Sequence, residues 1–254
     1  MKRLILFILL CITCTFTYAQ DTLRIMTFNV YSIAMTSLEE LACYIKQYDP
    51  DIVALQEVDY QVQRPEAPAQ HNKNQMLELG FYTNMFPVFS SINAHPTGGY
   101  YGMGILSKSP IQSVLTIPLP QIVDQKEPRA MMLVQWCLNE KTITLCNTHL
   151  SLDIRNRRVQ MRHIRKLINK YTGIKIVCGD LNSTPEEGLV HHFFNGWRDA
   201  LPKGENTFSS WNPIYKYDWI LIKNSPSIRI IDSRVDYSAH LSDHIPGIID
   251  IILK

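Results

Sequence analysis

The chain lacks any apolar run long enough to cross a bilayer, which takes roughly 20 consecutive apolar residues. The longest stretch, from Leu4 to about Thr13, falls well short of that. It follows Lys2 and Arg3 and leads into small or polar residues at Thr17 to Gln20. That order is the pattern of a secretory signal peptide. Residues 1–20 are therefore expected to be removed, and residues 21–254 to be exported to a periplasm or the extracellular space. A lipid anchor at Cys11 or Cys14 is not expected, because bulky Leu10 and polar Thr13 stand where a small residue is needed.

Cysteine is also scarce. Beyond the leader only Cys43, Cys137, Cys146 and Cys178 remain, and no pair has the spacing of a zinc site. Export permits disulfides. Cys137 and Cys146, however, flank a hairpin turn at Asn139-Glu140 whose register does not set them opposite each other. Each cysteine lies in a periodic or apolar segment, so buried free thiols are expected. Gly/Ser-rich linkers, internal repeats and low-complexity tracts are absent too. The about 234 residues left from 254 after removing 20 thus suit one domain, 21–254. An excess of charge is missing as well. Lys plus Arg number 25 against 23 Asp plus Glu, and the leader takes two of the bases. A balanced chain has no global field to attract nucleic acid or an anionic membrane.

What the sequence does contain is a succession of strand-length apolar runs. They cover Leu23 to Val30, Ile52 to Val58, Gly102 to Ser107, Ile111 to Ile117, Ala130 to Leu138, Thr142 to Leu150, Ile174 to Cys178, Trp219 to Ile222, Ile228 to Val235 and Pro246 to Ile251. Many are rich in β-branched residues and bounded by Gly, Pro or Asn. Ser37-Leu38-Glu39-Glu40 reads as a capping box that opens a helix with Leu38, Leu41, Ala42 and Ile45 on one face, ended by Pro50. A second helix is expected from about Asp153 to Tyr171, with Ile164, Leu167 and Ile168 inward and Gly173 just past its end. Its arginines 155, 157, 158, 162 and 165 read as a solvated face. About ten strands and three or four helices in this mixed order predict two packed sheets with helices outside them.

Polar, metal-competent residues recur at the ends of these runs, where strands open onto loops and sites are usually built. They fall in Thr27-Phe28-Asn29-Val30, Leu55-Gln56-Glu57-Val58, Asn147-Thr148-His149-Leu150, Gly179-Asp180-Leu181-Asn182-Ser183-Thr184-Pro185, Tyr217-Asp218-Trp219-Ile220 and Leu241-Ser242-Asp243-His244-Ile245-Pro246. Taken singly, such residues are ordinary. An Asn at a strand end favours turns, and a His beside an apolar run is often a satisfied packing residue. Asp218 is the least ordinary, because a carboxylate in so apolar a stretch needs a partner.

In this order the motifs closely resemble the endonuclease/exonuclease/phosphatase superfamily, which has the DNase I fold and includes neutral sphingomyelinases and inositol-polyphosphate phosphatases. Weaker echoes are Gly98 to Ser107, Glu127-Pro128-Arg129 and Thr207 to Pro213. The resemblance implies an α+β, four-layer αββα sandwich of two mostly antiparallel sheets flanked by helices. It also implies a phosphoric ester hydrolase, dependent on Mg2+ or Mn2+, in which water attacks phosphorus directly.

By that likeness Glu57 is a metal ligand, Asn29 contacts the metal or orients Asp180, and Asp243 completes the metal shell. Asp180 orients the attacking water and Asn182 donates to the phosphate. Asp218 holds the ring of His244, and His149 donates to a phosphoryl or leaving oxygen. Whether His244 or Asp180 takes the water's proton stays open. Arg129 and Tyr101 are candidates for substrate contact. His71, His95, His163, His191, His192 and His240 match no motif and read as surface or packing residues, while Trp197 and Trp211 read as core or site-wall aromatics.

Gly104 and Tyr217 depart from the family pattern, which bears on substrate fit. The substrate class spans a small phosphorylated molecule, a lipid headgroup ester and nucleic acid. Neutral charge, no inserted basic loop and no extended apolar hairpin favour a compact ester. The rival is a catalytically inactive binding module of the same fold. No protein partner is implied.

Overall fold

A computed structural model describes residues 21–138 and 140–254. Residues 1–20, where a leader is expected, and Asn139 of the expected hairpin turn lie outside the described residues. Chain order begins with β1 (Asp21–Asn29), α1 (Leu38–Tyr48), β2 (Ile52–Tyr60), α2 (Gln75–Thr83), β3 (Phe86–Ala94), β4 (Tyr100–Ser107), β5 (Ser113–Pro118) and β6 (Ala130–Leu138). It continues with β7 (Lys141–His149), α3 (Ile154–Ile168), β8 (Ile174–Asp180), α4 (Leu189–Phe193), β9 (Trp197–Asp199), β10 (Asp218–Lys223), β11 (Ile228–Val235) and β12 (Gly247–Leu253).

Two six-stranded sheets result, ordered β11-β12-β1-β2-β4-β3 and β5-β6-β7-β8-β10-β9. Every strand pairing is antiparallel except β1 with β2 and β7 with β8, so each sheet is mixed with one parallel pair near its centre.

Alternation along a strand sends neighbouring side chains to opposite faces. On β1, Leu23 and Ile25 enter the core between the sheets, whereas Met26 and Phe28 face the outer layer built on α1 and α2. On β7, Ile143 and Leu145 point into the same inter-sheet core, and Cys146 meets the layer of α3 and α4. Strands buried on both faces read as continuous apolar runs, which is why the sequence shows them without polar alternation. The architecture is therefore the expected α/β/β/α stack.

Helix ends follow local chemistry. Ser37 and Glu40 form the reciprocal capping box at the start of α1, and Asp153 accepts from the Arg155 amide to open α3. Buried Ile164 and Ile168 and half-buried Leu167 face the second sheet.

Some expectations need correction. Arg157 is not on a solvated face: it is buried, donates to the Ser151 and Leu152 carbonyls and pairs with Glu187 at 2.6 Å. Arg165 is half-buried and caps the Phe193 carbonyl, so only Arg155, Arg158 and Arg162 are exposed. Among the described residues the four cysteines are free, as expected, but of these only Cys146 and Cys178 are buried. Cys43 lies on the outer face of α1 and Cys137 at the outer end of β6, and both are exposed. Cys137 faces Thr142 and Cys146 faces Leu133, consistent with the register argument. Trp211 is 68% exposed rather than core. Trp197 is half-buried against Phe194.

Two strands and two helices lacked a sequence signal. β3 is a half-exposed edge strand containing Pro87, β9 has three residues, α2 is short and contains Gly80, and α4 has five residues.

Candidate active site

Register alone aligns much of the site. β7 and β8 run parallel with His149 opposite Asp180, and β10 returns antiparallel with Asp218 opposite Asp180. Three chemistry-bearing residues thus sit in one row across the ends of adjacent strands. The other sheet brings Asn29 at the end of β1 beside Gln56 of β2.

Glu57 then occupies a bulge, where the pairing of β2 with β4 shifts between Gln56 and Val58. Its φ of 57° is in the left-handed region. Such a conformation costs on the order of 1–3 kcal/mol in a non-glycine residue. Bulges re-aim side chains, and here the Glu57 carboxylate reaches the Asn29 amide nitrogen at 2.9 Å. Gly179, just before Asp180, has φ 126°, and a Cβ there would lie 2.0 Å from the Thr148 carbonyl. The close approach of β8 to β7 beneath the site therefore requires glycine.

Asp180 is the hub. Its Oδ1 accepts from the Asn182 backbone at 2.8 Å, and its Oδ2 accepts from Asn29 Nδ2 at 3.2 Å. Two imidazoles approach the same Oδ2, His149 Nε2 at 3.4 Å and His244 Nε2 at 3.6 Å. Burial, with Asp218 and Glu57 nearby, drives the Asp180 carboxyl above its usual range, against the pull of His244. Burial raises Glu57 likewise, opposed by the Asn29 hydrogen bond.

The two histidines are held in opposite states. Burial, then Arg129 and His244, pushes His149 well below 6.5, so it is a neutral imidazole. Arg129 Nη1 lies 3.2 Å from His149 Nδ1. A guanidinium only donates, so Nδ1 accepts and the proton resides on Nε2. For His244 burial also favours the neutral form, but Asp218 and Asp180 outweigh it and raise the ring above its ordinary value. Asp218 Oδ2 is 2.8 Å from His244 Nδ1. Asp218 is itself fixed at its backbone, whose N–H donates to Thr207 Oγ1 at 3.0 Å.

The cleft has a volume of about 410 Å³. Of the residues expected from sequence, Glu57, Tyr101, Arg129, His149, Asp180, Asn182, Asp243 and His244 line it. Asn29 and Asp218 sit behind that lining. The Asn29 oxygen accepts from the Tyr31 amide, so its nitrogen is what faces the two carboxylates. One Asn182 side-chain hydrogen goes to the Leu150 carbonyl. The Ser242 hydroxyl donates its one proton to the Asn29 carbonyl at 2.7 Å, with Asp243 Oδ1 3.2 Å from the same oxygen.

Arg64, Glu127, Leu152, Phe208 and Tyr217 also line the cleft and were not singled out by sequence as site residues. Glu127 and Phe208 lay inside motifs already noted, whereas Arg64 had no signal. Beneath the floor, Asn147 donates to the Leu55 and Gly104 carbonyls and accepts from Gln56 at 2.7 Å, joining the two sheets. The Gly104 departure has a packing cause: a Cβ there would meet Met76 Sδ at 2.1 Å, in the outer layer. Tyr217, by contrast, faces the cleft.

A second cavity, about 450 Å³, opens at the far ends of β7 and β8 and is lined by Lys141, Lys175, Lys223 and Lys254. None of the expected site residues lies there.

Comparison with known proteins agrees with this geometry. No curated protein sequence matches the chain. Its fold is similar to that of an endonuclease/exonuclease/phosphatase from Bacteroides vulgatus, with TM-score 0.73 and 19% identity over 92% of this chain and 100% of that one. The human nocturnin catalytic domain gives 0.70 and 18% over 93% and 98%. A mannosyl-6-phosphatase from Bacteroides thetaiotaomicron gives 0.72 and 13% over 91% and 100%. The Endonuclease/Exonuclease/phosphatase family model spans residues 26–244, from β1 to the histidine at the cleft, and the chain belongs to that family of phosphate-ester hydrolases.

Proposed function

We propose that the protein hydrolyses a phosphate mono- or diester by direct attack of an activated water, assisted by Mg2+ or Mn2+. The observation that carries this reading is the row Asp218–His244–Asp180, with Nδ1 of the ring at 2.8 Å from one carboxylate and Nε2 at 3.6 Å from the other.

Two carboxylates destabilised by burial at one point call for positive charge. Hard oxygen donors suit Mg2+ or Mn2+. Among the described residues no group of three or more His, Cys, Asp or Glu is placed to hold a metal ion, so an ion here would need water and substrate oxygens to complete its shell. Glu57 and Asp243 would hold it, with Asn29 steadying Glu57 and Asp180 through its N–H groups. Such an ion supplies charge neutralisation for the phosphoryl and leaving oxygens.

The chain's own residues do the rest. A base works best with a pKa near the operating pH. Asp180 Oδ2 lies at the centre of the site facing both imidazoles, whereas His244, raised by Asp218 and Asp180 and paired with Asp218 through Nδ1, is poorly suited to accept a proton. Asp180 therefore orients the water and takes its proton. The His244 imidazolium, the Nε2–H of His149, the Asn182 amide and the Arg129 guanidinium donate to the developing charge. The mature protein would act after export.

The test is hydrolysis of p-nitrophenyl and bis-p-nitrophenyl phosphate with Mg2+ or Mn2+ and with chelator. Chelator-sensitive release, abolished in His244→Ala, is expected. Metal-dependent activity that survives Glu57→Gln or Asp180→Asn would sink the reading, and cation binding without turnover of any phosphate ester would favour a binding module.

A further inference from the structure

The lysine-lined cavity at the far ends of β7 and β8 shares no residue with the cleft. β8 runs from one to the other, with Ile174 and Lys175 in the cavity wall and Asp180 in the cleft. At about 3.3 Å per residue, the step from Lys175 to Asp180 separates them by roughly 16 Å. The chemistry of the cleft therefore does not account for the cavity.

Its charge is one-sided. Lys141, Lys175, Lys223 and Lys254 line it, and no Asp or Glu side chain does. Even with the main-chain carboxylate of Lys254 counted, cations are in excess. Antiparallel pairing of β8 with β10 sets Ile176 opposite Ile222, so Lys175 and Lys223, each one residue further out, meet at the same end of the sheet. Like charges so placed across two strands are destabilising. Lys223 Nζ donates to a neutral acceptor, Asn169 Oδ1, at 3.2 Å. Among the described residues the Lys175 ammonium has no hydrogen-bond or ion-pair partner. Both side chains are half-buried, and burial followed by Lys223 lowers the Lys175 ammonium below its ordinary pKa.

We propose that this cavity is a non-catalytic site for a small multivalent oxyanion of the phosphate class, held between Lys175 and Lys223 with a hydrogen bond from Ser225. The inference is independent of the hydrolase reading. Ser225 Oγ accepts from the Ser227 amide at 3.2 Å, which leaves its hydroxyl proton to donate. A monovalent carboxylate compensates one ammonium, whereas a phosphate with several charged oxygens bridges both. The volume of about 450 Å³ is that of a small-ligand site. A chain with 25 basic and 23 acidic residues offers no extended field for a polymer.

Pyrophosphate is the probe. Calorimetric titration of the protein in chelator, which keeps metal out of the cleft, should show one pyrophosphate bound with a Kd of about 1 mM or tighter, and acetate no measurable heat. Lys175→Gln and Lys223→Gln should each weaken binding about tenfold, the scale of one charge-assisted hydrogen bond. Lys175→Arg should retain it, and Arg129→Gln in the cleft should leave it unchanged. Lys175→Met, which keeps the apolar stem, replaces the glutamine variant if that one does not fold. Absence of binding, binding that survives both lysine substitutions, or binding lost in Arg129→Gln would overturn the proposal. A single-stranded oligonucleotide that binds tighter than pyrophosphate through the same two lysines would overturn it in favour of a polymer surface.

Discussion

Asp218 accepts the Nδ1 proton of His244 at 2.8 Å, while its other oxygen, Oδ1, is buried without a hydrogen-bond partner. A buried carboxylate with one oxygen unsatisfied is costly in isolation and makes sense beside a cation. Asp218→Asn should therefore keep the fold but lower kcat by about 100-fold or more, because ring state and orientation are both lost. Unchanged circular dichroism with unchanged kcat would refute the role given to this pair.

Asp180 carries the opposite trade. Its carboxylate is held in the site against burial and against neighbouring Asp218 and Glu57. Without metal, Asp180→Asn should raise Tm by about 2–4 °C, the shift that roughly 1 kcal/mol produces in a domain of this size, while abolishing hydrolysis. Added Mg2+ should raise the Tm of the unsubstituted protein by mass action, and Glu57→Gln should blunt that rise. Thermal scans with and without chelator decide both points.

Gly179 bears on stability more than on chemistry. With φ at 126° and the Thr148 carbonyl 2.0 Å from where a Cβ would sit, Gly179→Ala should cost about 3 kcal/mol or more. Urea unfolding would show it as a lower midpoint, and a near-neutral result would mean that β7 and β8 can separate there.

Asn147 joins the sheets under the active site. Asn147→Leu removes donors to Leu55 and Gly104 and an acceptor for Gln56. Leaving such groups unpaired inside the sandwich should cost about 2–4 kcal/mol. The same urea experiment applies, and a loss below about 0.5 kcal/mol, within the usual range of surface substitutions, would show that water replaces the side chain.

Asp236 provides a pH handle away from the site. Burial opposes its charge, but Ser238, Tyr48 and Tyr44 donate to the carboxylate and hold its pKa below the ordinary value. A depressed folded pKa contributes stability above the unfolded value, and that stability is lost as pH falls through the folded one. Stability should thus decline below about pH 4 in part through this group. Asp236→Asn should lower stability at pH 7 by about 1 kcal/mol, allowing for partial exposure, and flatten that acid limb. Denaturant midpoints between pH 3 and 7 for both proteins would measure it.

Much of this was legible from the chain because it is local. Ser37 with Glu40 marks a helix start through hydrogen bonds four residues wide. β1, β2, β7 and β12 are visible as apolar runs because both faces are covered. Where coverage stops, so does legibility: β3, half-exposed and containing Pro87, has neither alternation nor an apolar run. Arg157 shows the same limit in reverse, since nothing in a run of arginines reveals which one folds inward to Glu187.

For the site, the order of residues from Asn29 to His244 determined the family and the candidate chemical groups, because those groups sit at strand ends that apolar runs announce. Tertiary structure decided what those groups are to one another. Parallel pairing of β7 with β8 and antiparallel pairing of β8 with β10 set Asp180 between His149 and Asp218. Burial then drives His149 neutral, while Asp218 and Asp180 keep His244 charged. Loops distant in sequence bring Arg64, Glu127, Phe208 and Tyr217 to one cleft. Desolvation and charge pairing depend on which surfaces meet, and only the packed sandwich determines that.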